Sequence, residues 1–347
     1  MTSARPRTGS WLLLFGLWLL LQSSVAAQSA KARNVLFLIS DDLNTVLSCY
    51  GAPGVRTPNI DRLAQRSVLF RRAYCTFPLC GPSRNSLLTG LYPNSTGIHA
   101  NSLIFRQSVP ERISLPQAFR QQGWMAGRIG KLYHYNVPNS IGTDGHDDPG
   151  SWELELNPAG VDRMKEHPLI TSLVPNSFGG MLSWHASEHP DEQHTDALLA
   201  DNADWVLERC AKRPERPFFL AVGFFRPHTP YVAPKRWFDL YPAADMPIVT
   251  GLEADLLDIP EAALQSQVKA QLSMTEQQKR EARQAYLACI SFLDAQVGKV
   301  LDSLERHGLD KNTVIVFTSD HGYHLGEHSL WQKRRDRKST RLNSSHI

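Results

Sequence analysis

Three stretches of this chain are apolar without interruption: NVLFLIS at residues 34–40, PFFLAVGFF at residues 217–225 and NTVIVFTS at residues 312–319. A strand with one face in water alternates apolar and polar residues, so unbroken runs belong to strands covered on both faces. Between them lie segments of helical period. TPNIDRLAQRS, with Thr57 as cap and Pro58 at the first position, predicts a helix, as do SLPQAFRQQGW and HTDALLADNADWVLERCA. Beyond Thr275, the residues Tyr286, Cys289, Phe292, Leu293, Val297, Val300, Leu301 and Leu304 keep helical spacing and predict one long helix with a single face on the sheet. VLFRRAY and MAGRIG read as further strands. Helix and strand in alternation predict an α/β fold: a mostly parallel central sheet flanked by helices on both faces.

In such sheets ligands gather beyond the carboxyl ends of the strands. Asp41 and Asp42 follow the first apolar run, and Asp320 and His321 follow the last. A single Asp there would serve as a turn or helix cap. Acidic residues at two strand ends instead repel one another, and a hard divalent cation with oxygen ligands relieves that repulsion. HGYHLGEH lacks the H-E-x-x-H arrangement of zinc proteases, so His324 and His328 are expected to position their loop. Residues 134–194 are dense in Pro, Gly, Asp and His and predict a long loop-rich insertion or lid. Within it His185, His189 and His194 are expected to be solvated.

The remaining features concern the compartment and the class of partner. Arg5 and Arg7 precede WLLLFGLWLLL, a run shorter than the roughly 18 apolar residues a spanning helix needs. Residues 1–27 therefore read as a secretory signal peptide, and the mature protein is expected to be secreted or periplasmic, with no stable membrane insertion after cleavage. Residues 336–347, DRKSTRLNSSHI, carry no helix or strand period and read as a sequencing-adapter artefact. That leaves 28–335 as the part to be read as a folded domain. A net charge of +3 with both signs interspersed speaks against nucleic acid as partner. Five cysteines in an oxidising compartment leave at least one thiol over, and Cys80, directly before Gly-Pro-Ser-Arg, is the candidate.

CGPSR followed by LLTG resembles the signature of the type I sulfatases, in which a separate enzyme oxidises the cysteine to formylglycine, an aldehyde. The resemblance runs from about Asn34 to Lys333 and includes SDDL, TPNIDRLA, GKLYH, RPHTPY and FTSDHGYHLGEH. Within the family it is nearest to the iduronate-2-sulfatase branch and its bacterial relatives. It implies an alkaline-phosphatase-like fold, with 28–335 as one catalytic domain truncated at its C-terminal end and lacking a C-terminal subdomain, and hydrolysis of a sulfate monoester, with the 2-sulfate of iduronate in glycosaminoglycan as the expected substrate. It also implies Ca2+ as cofactor, a sulfated carbohydrate as partner, and a formylglycine-generating enzyme during maturation. Asp41, Asp42, Asp320 and His321 match the family's metal positions, together with the modified Cys80. Arg84, one turn after Cys80, would stabilise the alkoxide of the hydrated aldehyde. Lys131 and His134 in GKLYH, His228 in RPH and Lys333 in WQK match the remaining catalytic positions: lysines for sulfate oxygens, histidines for proton transfer with the leaving alcohol or the diol. In the implied scheme one hydroxyl of the gem-diol attacks sulfur and expels the alcohol, and the other collapses to the aldehyde and releases sulfate. Choline or aryl sulfates are the alternative substrates. A phosphonate or phosphodiester hydrolase of the same superfamily is the alternative activity, and an idle carbohydrate-binding relative with Cys80 still a thiol is the alternative class.

Overall fold

A computed structural model describes residues 34–264, 267–333 and 345–346. The expected signal peptide and most of the expected C-terminal artefact lie outside the described residues; Ser345–His346 pair antiparallel with Ala73–Tyr74. No helix among the described residues is long and apolar enough to cross a membrane. The central sheet has five strands: β1 (Asn34–Ser40), β2 (Met125–Gly130), β3 (Leu154–Leu156), β4 (Phe218–Phe224) and β5 (Thr313–Ser319). Their spatial order is β3-β2-β4-β1-β5, and every neighbouring pair is parallel.

The unbroken apolar runs have the expected cause. Along β1, Leu36 and Leu38 enter one core while Phe37 and Ile39 enter another on the opposite face; along β4, Leu220 and Val222 part from Phe219 and Ala221 in the same way. Five principal helices supply the covering layers: α1 (Pro58–Gln65), α2 (Cys80–Thr89), α3 (Leu115–Gln121), α4 (Thr195–Ala211) and α5 (Glu276–Arg306). Helices α1, α4 and α5 fill the larger core through Leu63, Leu199 and Leu293. On the other face, Leu88 of α2 is buried, and Phe119 of α3 stacks on Phe219 at 4.8 Å. The fully buried leucines among them contribute about 1.5–3 kcal/mol each, and the half-buried Phe119 less.

Four local expectations are corrected. β5 is apolar throughout but lies at the sheet edge, so Val314 and Val316 keep 47% and 38% of their surface exposed and only its last three residues are buried. VLFRRAY forms no strand beyond Ala73–Tyr74, since no strand among the described residues pairs with residues 68–72; Val68, Phe70 and β5 instead line a surface cavity. Residues 134–194 are less loop-rich than their composition suggests: β3 joins the central sheet, and Ser183–Ser187 joins Thr171–Ser172 and Tyr231–Pro234 in a second, three-stranded sheet. Finally, Thr57 stands at the start of α1 but its side chain makes no capping bond. Asp294 of α5 takes that role from across the interface, accepting from the Asn59 N–H at 3.2 Å and the Ile60 N–H at 2.8 Å. The long helix α5 does begin in a capping box: Thr275 Oγ1 accepts from the Gln278 N–H, and Gln278 Oε1 accepts from the Thr275 N–H.

Candidate active site

Parallel strands all deliver their carboxyl ends to one edge. Ser40 is in register with Phe224 on one side and Ser319 on the other, so Asp41, Phe225 and Asp320 leave the sheet together. Asp42 turns with a φ of +63°, a conformation held at both ends of its peptide. Its N–H donates to Asp320 Oδ1 at 3.1 Å, and its carbonyl accepts from the Tyr286 hydroxyl at 2.8 Å. Strand β2 ends in Gly130 with φ +72°, where a Cβ would lie 2.4 Å from the Gly223 carbonyl oxygen. Only glycine permits that close passage, and the next residue, Lys131, then reaches Asp41 Oδ2 at 2.5 Å. Helix α2 starts at Cys80 and aims its N-terminus, the positive end of its dipole, at the same point.

Ligand atoms of Asp41, Asp42, Cys80, Asp320 and His321 all lie within 4.8 Å of one another, and all five residues are buried. Cys80 Sγ is 3.5 Å from Asp41 Oδ1, 3.3 Å from His321 Nε2 and 3.0 Å from Lys333 Nζ, and it is in no disulfide. Arg84, one turn along α2, is wholly buried. Its Nε donates to Asp320 Oδ2 at 2.9 Å, its Nη2 lies 3.3 Å from Asp41 Oδ1, and its Nη1 donates to the carbonyl of Lys131 at 2.7 Å. Lys333 closes the group at 2.6 Å from Asp42 Oδ1.

The charges shift one another strongly. Burial alone would raise the Asp41 carboxyl, but Lys131 and Arg84 hold it well below the usual carboxylate range. Asp42 is pushed up by burial and by its neighbours Asp41 and Asp320, against the pull of Lys333. Burial would keep His321 neutral, yet Asp320, Cys80 and Asp42 raise it to about 10. His134 is pushed down to about 2 by burial, Lys131 and Lys333, and His228 is driven well below its ordinary value by burial and Lys333. His228 is therefore neutral. With its Nδ1 bonded to the Thr229 carbonyl at 2.5 Å, the proton sits on Nδ1 and the lone pair on Nε2, which lies 3.8 Å from Asp42 Oδ2 and 4.0 Å from Asp41 Oδ2.

Asp42 Oδ2 is buried with no hydrogen-bond partner among the described residues. An orphaned carboxylate oxygen amid two further carboxylates fits a hard divalent cation such as Ca2+, with the His321 nitrogen as the less matched donor. A cavity of about 510 Å³ opens beside this centre, lined by His134, His228 and Lys333 and by Leu79, next to Cys80. All ten residues singled out for metal or catalytic positions thus meet at one sheet edge. His185, His194 and His328 do not join them. His328 pairs with Asp255 at 3.0 Å. His194 is buried against the Phe292 ring at 5.7 Å, and His185 lies 3.6 Å from Glu166, so the expectation of solvated residues fails for both. They are packed because the segment around them folds into the second sheet and the start of α4. Tyr286 was legible only as a core position of a helix; the signal to its role is that a tyrosine on a buried stripe must find a partner for its hydroxyl.

The family model for Sulfatase matches residues 33–344 of this chain. A sulfatase of Formosa agariphila is 38% identical over 319 residues, covering 86% of this chain and 62% of that protein. Human iduronate 2-sulfatase is 35% identical over 349 residues, covering 94% of this chain and 62% of that protein. The chain thus spans less than two thirds of the length of these relatives. Among solved structures, a phosphonate monoester hydrolase of Agrobacterium radiobacter superposes with a TM-score of 0.66 at 23% identity, covering 87% of this chain and 65% of the other; this is a likeness of fold.

Proposed function

The chain belongs to the sulfatase family, and from that premise we propose that it hydrolyses sulfate monoesters with position 80 as nucleophile, as formylglycine. What carries the reading is the convergence of three carboxylates, Arg84, Lys131 and Lys333 on the Cys80 side chain, within an enclosed edge of the sheet. Sulfur in a sulfate ester is screened by anionic oxygens, so catalysis needs charge neutralisation more than it needs base strength. A Ca2+ ion held by Asp41, Asp42, Asp320 and His321 would supply Lewis acidity toward the nucleophile and the sulfate oxygens. Cys80 Sγ stands in for an oxygen of the hydrated aldehyde. Lys333, 3.0 Å from that atom, and Lys131 would meet sulfate oxygens once substrate competes for their charge. The Arg84 fork fixes Asp41 and Asp320 and presents positive charge behind the nucleophile. His228, with its lone pair on Nε2, and His134, at the cavity wall, are the two rings placed for proton transfer with the diol or the departing alcohol, once bound substrate offsets the charge of Lys131 and Lys333 that now holds their basicity down.

The 2-sulfate of iduronate in glycosaminoglycan is the substrate this reading favours, supported by 35% identity to human iduronate 2-sulfatase across 94% of the chain. Export through residues 1–27 and maturation of Cys80 by a formylglycine-generating enzyme belong to the same proposal. A second reading, hydrolysis of phosphonate monoesters or phosphodiesters, is favoured by the fold likeness to the Agrobacterium enzyme. The test is steady-state turnover of an iduronate 2-sulfate disaccharide, choline sulfate, 4-nitrophenyl sulfate and a phenyl phosphonate ester by the matured enzyme. The largest kcat/KM is expected on the iduronate ester. A phosphonate preference would select the second reading, and no turnover of any ester would overturn both.

A further inference from the structure

The loop that carries His228 is poor in backbone donors. Between the end of β4 and the strand Tyr231–Pro234 it reads FRPHTP, and neither Pro227 nor Pro230 has an N–H to give. The ring of His228 is bonded within the same loop, to the Thr229 carbonyl. Its Nε2 therefore faces Asp41 and Asp42 only as well as the loop itself is held.

Arg226 holds the loop from inside. Its guanidinium is buried, and each of the three nitrogens donates: Nε to the Val232 carbonyl at 2.6 Å, Nη1 to the Pro230 carbonyl at 3.2 Å and Nη2 to Asp162 Oδ2 at 2.5 Å. Asp162, on the short helix Val161–Met164, is fixed in turn at the start of α4, where its Oδ1 accepts from the Thr195 N–H at 2.9 Å and the Thr195 hydroxyl at 2.7 Å. The next residue of α4, Asp196, accepts from the N–H groups of Phe225 at 3.0 Å and Arg226 at 2.9 Å. The Arg226 carbonyl accepts at 2.7 Å from the hydroxyl of Ser40, the residue before Asp41. His228 is thus pinned on both sides: by Asp196 and Ser40 before it, and by the guanidinium fork after it. Apolar packing would hold such a loop at a lower desolvation cost, whereas a fork of directed bonds fixes where its carbonyls stand.

We infer that Arg226, braced by Asp162, is a positioning residue for the reaction: through the carbonyls of Pro230 and Val232 it sets where His228 Nε2 lies relative to position 80. This rests on the sulfatase reading for the role of His228. Among the described residues the ion pair of Arg226 is with Asp162, not with a carboxylate of the centre, so its effect on turnover passes through the loop.

The test is a double-mutant cycle in the matured enzyme, with turnover of an iduronate 2-sulfate disaccharide and of 4-nitrophenyl sulfate. Arg226→Gln, Arg226→Lys and Asp162→Asn, which keeps an acceptor for Thr195 and removes the charge facing Arg226, are each combined with His228→Ala. Asp294→Ala, at a helix contact remote from the centre, controls for lost stability. Arg226→Gln is expected to lower kcat about a hundredfold with KM within about twofold, the scale of an ångström-sized misplacement of a proton-transfer group. Asp162→Asn should lower it about tenfold, and Arg226→Lys should recover part of the Arg226→Gln loss. In the His228→Ala background the same changes should cost less than about twofold. A loss that recurs in full without His228, or a folded Arg226→Gln with the kcat of the parent, overturns the inference; should Arg226→Gln not fold, the two milder variants carry the cycle. A second readout needs no turnover. In the imidazole nitrogen NMR spectrum His228, assigned by its absence in His228→Ala, should show the Nδ1–H tautomer, and Asp162→Asn and Arg226→Lys should mix it with the Nε2–H form. A tautomer unmoved by both overturns the inference as well. If the parent enzyme hydrolyses no sulfate ester while the tautomer responds, the hydrolase reading falls and the control of His228 by Arg226 stands.

Discussion

Asp41 is the residue on which the buried charges balance: Lys131 at 2.5 Å and Arg84 at 3.3 Å neutralise a carboxylate with no exposed surface. Removing one partner of a buried pair leaves the other uncompensated, at a cost of about 3–5 kcal/mol. Because Arg84 remains, Lys131→Met should lower the free energy of unfolding in urea by about 3 kcal/mol and reduce kcat at least about a hundredfold. A stable variant with full activity would show that Lys131 neither balances Asp41 nor meets substrate. His321 gives a pH prediction. Its pKa is raised to about 10 when no cation is bound, above the ordinary histidine value, so its contribution to stability is complete below about pH 6.5 and is lost as pH rises through 10. A cation taking the His321 nitrogen must displace that proton, so Ca2+ binding at pH 7 should release close to one proton from this ring, read as a dependence of the calorimetric heat on the ionisation enthalpy of the buffer. Heats independent of the buffer would remove His321 from the ligand set. The residues of the centre were legible because each sits in a short motif at a strand end or helix start. Tyr286 was not, since on a buried helical stripe a tyrosine reads only as core, and its bond to the Asp42 carbonyl is set by how α5 packs.

Between elements, the contact of α1 with α5 shows how a polar residue on a buried helix face does structural work. Asp294 takes the Asn59 N–H, the Asn59 side-chain amide at 2.9 Å and the Ile60 N–H, supplying to α1 the acceptor that Thr57 does not. Asp294→Ala should destabilise the fold by about 2 kcal/mol in a denaturant titration, with KM unchanged, because the loss falls on a helix start remote from Cys80. Gly298 lies one turn along, where a Cβ would meet the Asn59 side chain at 2.4 Å, so Gly298→Ala should disturb the same contact. The strands and long helices followed from period alone, since burial of both sheet faces leaves a continuous apolar run and burial of one helix face leaves a stripe. Where tertiary partners decide, period failed. VLFRRAY has the composition of a strand, but among the described residues only its last two, Ala73 and Tyr74, find a strand to pair with; β5 is apolar but lies at an edge, and β3 is recruited from a segment whose composition suggested a loop.

Over the whole molecule, the centre exists only when the sheet does. Asp42 and Asp320 are separated by 278 residues and meet through the pairing of β1 with β5, while Lys131 and His228 arrive from β2 and β4. The unfolded chain therefore has no comparable cation site, and a ligand that binds only the folded state stabilises it by about 2.7 kcal/mol at a hundredfold excess over Kd. Millimolar Ca2+ should raise Tm and a chelator should lower it, and Asp320→Asn should abolish the difference; a Tm indifferent to Ca2+ in the parent protein would argue that the three carboxylates are held by Arg84, Lys131 and Lys333 alone. The most direct measurement concerns position 80 itself: mass spectrometry of its peptide, from protein made in cells that possess the formylglycine-generating enzyme. The mass of the aldehyde is predicted in place of the thiol. A peptide that keeps its thiol, or one joined through Cys80 to another cysteine, in protein that still hydrolyses sulfate esters would contradict the proposed nucleophile.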